Sequence, residues 1–172
     1  MKAYSVTDVR PFMKALFSDT LFNSWQFRSA ELSVLSHITI DGTVNSDYLT
    51  EEERLSRSCP YLTWEEIQPR IRALIQGSHT PTQMNIVLAM DPTRFKGMPE
   101  GVLESLLLNI RYETSPDTSA EGAGQDKGKT QTLTLVTGVS TKTFTMDKGP
   151  ERLWDESIPT VFKAHGIPVI EI

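Results

Sequence analysis

The chain has little of the chemistry on which reactive and metal sites are usually built. It contains one cysteine, Cys59, which excludes an internal disulfide and a Cys-x-x-Cys metal or redox motif. Its histidines, His37, His79 and His165, lack the spacing that places two ligands on one helical face. A phosphate-binding glycine loop and a Gly-x-Ser-x-Gly nucleophile motif are also missing. We therefore expect no metal and no cofactor, and an enzyme is the less favoured class of protein.

Long apolar runs are missing as well. No segment approaches the roughly 20 apolar residues that cross a bilayer, and the first residues lack the apolar core of a secretory signal. We expect a cytoplasmic protein. The 172 residues, 38% hydrophobic and 23% charged, suit one domain over residues 1–172. The net charge of −5 disfavours a mainly electrostatic nucleic-acid binder.

Three consecutive antiparallel strands are predicted in residues 106–146, because apolar and polar residues alternate there. Gly138 is expected to allow a short loop into the third strand, residues 142–146. The polar segment 114–129 has no apolar residue larger than alanine, which predicts a flexible hairpin loop. The predicted core residues of this region are Leu106, Leu108, Ile110, Leu133, Leu135 and Phe144.

Upstream, residues 26–40 also alternate with a period of two, and Asp41-Gly42 is typical of a type I′ turn into a further strand through Val44. Residues 83–90 predict another strand. Residues 46–58 are polar and acidic, which leaves open a short exposed helix or an ordered loop.

Helices are predicted in three places where apolar residues recur at helical spacing. The first follows Thr7, the second starts at a capping box formed by Thr63 and Glu66, and the third starts at Lys148. The succession implies an α+β domain, with a mainly antiparallel sheet and two or three helices packed on one face. One domain of the sliding-clamp fold has a similar order of elements. However, the mixed charges on the exposed faces of the first two helices argue against the clamp function.

Basic side chains near the predicted closing hairpin are the candidate ligand-binding residues. Arg111, Lys142, Lys148 and Arg152 belong to neighbouring segments and could form a patch that receives a phosphate or an acidic partner. The alternative interpretation is an ordinary solvated face of the sheet. No catalytic and no metal-binding residue is predicted.

Several phrases of the sequence together resemble a known family. They are TDVRPFMKALF, TIDG, TWEEIQPRIRALIQG, LLLNIRYE, LVTGVSTKTFTMDK and LWDE. The chain is similar, over nearly its whole length, to an uncharacterised bacterial domain-of-unknown-function family that is found mostly in Firmicutes. The resemblance implies a bacterial cytoplasmic protein with one domain. That family has no assigned activity, so the resemblance implies no site residues.

Three functions remain open. The favoured one is a non-enzymatic binding or interaction module, with a protein partner, and a homo-oligomer is compatible with it. The first alternative is a small enzyme whose site is assembled from residues distant in sequence, such as Cys59 or Ser140 with a histidine and an acid. The second is a clamp-like, nucleic-acid-associated module, which the net charge disfavours. No membrane partner is expected.

Overall fold

A computed structural model describes residues 1–116 and 129–172. Within these residues the chain forms seven strands and four α-helices. In chain order they are β1 (Ala3–Val6), α1 (Val9–Phe17), β2 (Gln26–Ser33), β3 (His37–Asp41), α2 (Glu51–Ser56), α3 (Trp64–Ile75), β4 (Gln83–Met90), β5 (Leu103–Pro116), β6 (Lys129–Thr141), α4 (Gly149–Ala164) and β7 (Val169–Glu171).

The strands form one open, fully antiparallel sheet in the order β3-β2-β4-β5-β6-β1-β7. Its centre is the hairpin of β5 and β6, which is paired from Leu103 and Thr141 to Pro116 and Lys129. The first and last strands pair with each other at one edge, where β7 is the edge strand. The predicted α+β class with an antiparallel sheet is therefore confirmed.

Helices α1, α3 and α4 cover one face of the sheet and enclose the core against it. The three tryptophans, Trp25, Trp64 and Trp154, are buried there, as the apolar stripes predict. The indole N–H of Trp64 donates to the Leu16 carbonyl at 2.6 Å, so its one polar group is satisfied in the interior. The predicted capping box of α3 is present. The short helix α2 has no buried residue.

The other face of the sheet, here called the outer face, carries the alternate side chains of the same strands. On β4 and β5 the core residues occupy even positions, so Asn85, Val87, Asn109 and Arg111 point to the outer face. None of the described helices lies on it. Among these helices, moreover, none combines the length and the apolar character that crossing a bilayer requires.

The predicted third strand over residues 142–146 is wrong. Strand β6 continues through Gly138 to Thr141, where Gly138 is paired with Leu107, and the following residues lead into α4 without strand pairing. Phe144 was predicted to lie in the core but is 91% exposed. Within residues 1–116 and 129–172 no strand pairs with residues 142–146, so the apolar side chain of Phe144 stays in solvent.

The predicted turn at Asp41-Gly42 is also misplaced. The strand expected over residues 26–40 is broken at residues 34–36, and β3 folds back there to pair with β2. Gly42 follows the end of β3, where its N–H donates to the Arg28 carbonyl at 2.9 Å. Its φ angle is not positive, so it does not serve as a turn glycine.

The polar segment 114–129 was predicted to be a flexible loop. Residues 114–116 end β5 and Lys129 starts β6, and these residues are paired with each other, so the loop prediction is wrong at both ends. Residues 117–128, on which the rest of that prediction falls, lie outside the described residues.

Candidate functional site

The four basic residues predicted to bind a ligand do not form one patch. Arg111 is exposed on the outer face, whereas Lys148 and Arg152 lie at the start of α4, on the helical side of the sheet. The Nζ atom of Lys148 lies 3.2 Å from the carboxylate of Glu151. Lys142 follows β6 and is exposed. Ligand binding by these residues stays a prediction.

Lys142 lines a small cavity. This small cavity, of about 180 Å³, is also lined by Asp91 and Glu104. Both of these acidic residues also line a second cavity of about 430 Å³. The two cavities therefore share a pair of carboxylates, and the larger one is the candidate site.

The larger cavity, here called the Arg28 cavity, is assembled from four segments that are far apart in sequence. They are residues 24–28 at the start of β2, residues 58–63 before α3, residues 91–94 after β4, and Glu104 in β5. Antiparallel pairing places the start of β2 beside the end of β4, and the end of β4 beside the start of β5. These segments therefore meet at one end of the sheet.

A β-bulge in β2 sets the position of Arg28. Phe27 pairs with Leu88 and Ser29 with Val87, so Arg28 is the extra residue between two consecutive pairs. A bulge of this kind bends the strand and redirects the side chain of the extra residue. Phe27 remains in the core, while Arg28 lines the cavity.

Arg28 is held in place by its neighbours. Its guanidinium carbon lies 3.6 Å from the centroid of the Tyr61 ring, in a cation–π contact. Its Nη2 atom donates to Gln26 Oε1 at 3.0 Å. Within the described residues its Nε atom is shielded from solvent and has no acceptor. Most of the donors of a fixed cation are therefore left for another acceptor.

A second arginine, Arg94, lines the same cavity. Its Nη1 atom donates to the Ser24 carbonyl at 3.2 Å, which holds the side chain against the start of β2. In the described part of the chain neither Arg28 nor Arg94 forms an ion pair within 4.0 Å. The charges of both arginines thus remain uncompensated by direct contact.

The two carboxylates of the cavity have neutral partners instead. Asp91 accepts from the backbone amide of Thr93 at 2.9 Å and from its hydroxyl at 2.8 Å, and these bonds hold the pKa of Asp91 below its ordinary value. Glu104 accepts from the Ser140 hydroxyl at 2.6 Å. The cavity therefore presents both carboxylate acceptors and arginine donors.

Cys59 lines the Arg28 cavity and two adjoining ones, and it is half-buried. The histidines lie elsewhere. His37 is in the edge strand β3, with its Nδ1 atom 2.9 Å from the Ser33 hydroxyl, and His165 caps the end of α4. In the described parts of the chain, no three His, Cys, Asp or Glu side chains are grouped as a metal ion would require.

Sequence reasoning did not identify Arg28, Tyr61 or Arg94. One signal was available: Phe27 and Leu32 are both apolar but five residues apart, so a regular strand places them on opposite faces. Both are in fact buried on the same face. Two residues five apart can share a face only if the strand is irregular between them. The bulge at Arg28 is that irregularity.

Comparison with known proteins assigns the chain to a family but not to an activity. It belongs to DUF5721, a family of unknown function, whose family model matches residues 15–169. The resemblance predicted from the sequence phrases is confirmed to that extent, while a bacterial origin stays a prediction. No curated protein and no solved structure gives a significant match.

Proposed function

We propose that the protein is a non-enzymatic binding module and that the Arg28 cavity is its ligand site. The observation that carries this proposal is the state of Arg28. Its guanidinium is fixed by Tyr61 and Gln26, yet it has no anionic partner among the described residues. A preorganised arginine loses little freedom when it binds, and its planar donors match carboxylate and phosphate groups.

The other residues of the cavity define the rest of the ligand. Arg94 adds a second positive charge, so the cavity can hold an anionic group. Asp91 and Glu104 favour hydrogen-bond donors on the same ligand, because both are acceptors. The volume of about 430 Å³ lies within the range of small-molecule sites. The proposed ligand is therefore a small polar molecule with a carboxylate or phosphate group and at least one donor group.

Binding is tested by titrating the full chain, labelled with ¹⁵N, with inorganic phosphate and separately with succinate. We expect saturable shifts of the backbone amide resonances of Gln26 and Tyr61. In Arg28→Lys the shifts at a given concentration should fall at least tenfold, because lysine cannot offer the planar fork. The matched control is Arg70→Lys, on the exposed side of α3, which should titrate like the wild type.

Shifts that fail to saturate, or that are equal in Arg28→Lys and the wild type, would contradict the proposed site.

The alternative of a small enzyme has one observation in its favour, since the cavity is assembled from distant segments and includes the Cys59 thiol. Cys59→Ser separates the two functions. A binding module binds its ligand equally well in the wild type and in Cys59→Ser, and neither protein converts the ligand chemically. A thiol-dependent enzyme converts the ligand in the wild type and loses this activity in Cys59→Ser.

The cellular setting belongs to the proposal as well. The resemblance of the sequence to a bacterial family supports a bacterial protein, and the composition supports a cytoplasmic one. Fractionation of cells that produce the chain at natural levels tests the second point, and recovery in the membrane fraction after a salt wash would argue against it.

A further inference from the structure

The outer face of the sheet carries an unusual combination of side chains around β4. Val87 supplies apolar surface in the middle of the strand, Asn85 and Asn109 lie beside it, and Ala89 is fully buried. In the described residues the Oδ1 atoms of both asparagines are shielded from solvent and lack a hydrogen-bond partner. Because those two atoms are shielded, a partner on this face would meet the accessible remainder of Asn85, Val87 and Asn109, each of which is half-buried.

One row of paired residues across β2, β4 and β5 has an acidic residue at one end and a basic residue at the other. Glu31 pairs with Asn85 across β2 and β4, and Asn85 pairs with Arg111 across β4 and β5. The acidic and basic residues therefore flank Asn85 at equal distances, each about 4.8 Å from it, the usual separation of neighbouring strands. Both are exposed, and neither forms an ion pair within the described residues.

We propose that two copies of the chain pack through their outer faces, related by a two-fold axis that runs along β4. This rotation exchanges the two flanks of β4, so Glu31 of each copy meets Arg111 of the other. The Asn85 amides of the two copies meet on the axis and can bond to each other. The contact is isologous, and it supplies two ion pairs from one row of residues.

The neighbouring row fits the same axis. Ser29 pairs with Val87 across β2 and β4, and Val87 pairs with Asn109 across β4 and β5. The rotation places Val87 against Val87 and brings the Ser29 hydroxyl of one copy to Asn109 of the other. The hydroxyl and the side-chain amide can each donate and accept a hydrogen bond there. One axis therefore serves the two ion pairs, the Asn85 amides and the contact between the Val87 side chains.

The available area suits a dimer of moderate affinity. Five strands about 4.8 Å apart, with about seven residues each at about 3.4 Å, cover roughly 570 Å² per copy. Two copies would bury roughly 1,100 Å² in total, which is just above the roughly 1,000 Å² expected of a specific interface. Dimerisation should therefore depend on concentration in the micromolar range.

Sedimentation equilibrium of the full chain over a wide range of concentrations tests the proposal. We expect the mass to rise from 19.3 kDa toward twice that value. Glu31→Arg and Arg111→Glu each place like charges opposite one another, and each variant should stay monomeric. Because both positions are exposed, the variants should fold, which circular dichroism checks. The matched control, Arg70→Glu on α3, should dimerise like the wild type.

Mixing the two variants gives the decisive result. A Glu31→Arg chain presents two positive charges and an Arg111→Glu chain presents two negative charges, so their mixture should form a heterodimer although neither variant dimerises alone. A wild type that remains monomeric at several hundred micromolar overturns the proposal. It is equally overturned if the single variants dimerise normally, or if their mixture remains monomeric.

Discussion

Gly42 is predicted to be one of the least replaceable residues of the chain, although its backbone conformation is ordinary. A Cβ atom built on Gly42 would lie 1.9 Å from the Phe27 carbonyl oxygen and 2.8 Å from the Arg28 carbonyl oxygen. Both are backbone atoms of the bulge in β2, and neither can rotate away. We therefore expect Gly42→Ala to separate the segment after β3 from β2.

The size of the effect follows from the contacts that would be lost. An ordinary van der Waals separation of roughly 3.5 Å requires a shift of roughly 1.6 Å. The shift breaks the bond from Gly42 N–H to the Arg28 carbonyl and the bond from Leu62 N–H to the Gly42 carbonyl, each 2.9 Å long. Two such bonds contribute about 1 kcal/mol each, and overpacking costs about 1–3 kcal/mol. The free energy of unfolding should fall by about 3–5 kcal/mol.

Urea denaturation followed by tryptophan fluorescence measures this loss, because all three tryptophans are buried. The midpoint should fall by on the order of 2 M, given the usual dependence of stability on urea. Gly77→Ala is the matched control, since a Cβ atom there meets nothing within 4 Å. It should be neutral or stabilising by up to about 1 kcal/mol. Equal midpoints for the two variants would refute the close approach at Gly42.

Four further substitutions test other parts of the structure by the same assay. Phe144→Ser should alter the free energy of unfolding by less than about 0.5 kcal/mol, whereas Leu135→Ala in the core should lower it by about 2–5 kcal/mol. A large loss of stability in Phe144→Ser would indicate that Phe144 packs in the core. Gly138→Ala should be neutral or stabilising, because its Cβ would lie 3.6 Å from the nearest atom and glycine weakens a strand interior; marked destabilisation would indicate a turn. Burial alone would raise the pKa of Glu66, but hydrogen bonds from Arg57 and the capping box lower it below its ordinary 4.5. This carboxylate therefore stabilises the fold above that pH and loses the contribution as the pH falls through its folded pKa, so Glu66→Gln should show a smaller loss of stability between pH 6 and pH 3.

The regular elements of the fold could be predicted from the sequence because periodicity reports directly on burial. Residues 83–90 carry a large apolar side chain at every even position, and β4 occupies those same residues. The capping box at Thr63 marks the start of α3 for a similarly local reason, since its hydrogen bonds join residues three apart. Each of these predictions required only neighbours in sequence.

The errors arise where partners distant in sequence decide the outcome. Asp41-Gly42 has the composition of a hairpin turn, but Gly42 is required by the approach of the β2 backbone, a contact no local pattern contains. Gly138 was expected to end a strand, yet it lies within one because β5 is long enough to pair beyond it. Phe144 has the alternation of a core residue but no strand to pack against.

The candidate site was missed for a related reason. The predicted ligand-binding residues lie on or beside regular segments, where a basic side chain is easy to place. Arg28 instead depends on a bulge, Tyr61 comes from the segment before α3, and Arg94 ends a short 3-10 helix after β4. Irregular backbone that redirects a side chain is common beside functional sites, and it leaves only an indirect trace in sequence.

Strand β2 is divided by its bulge into two parts with separate roles. Gln26 and Arg28 line the cavity, while Ser29 and Glu31 continue in regular register across the outer face. The proposed ligand site and the proposed dimer therefore depend on different side chains of one strand. If both are right, Arg28→Lys loses the anion and keeps the dimer, whereas Arg111→Glu loses the dimer and keeps the anion. Loss of both properties in either variant would mean that the bulge couples the two surfaces, because the register beyond it depends on how the Arg28 backbone is held by Gly42.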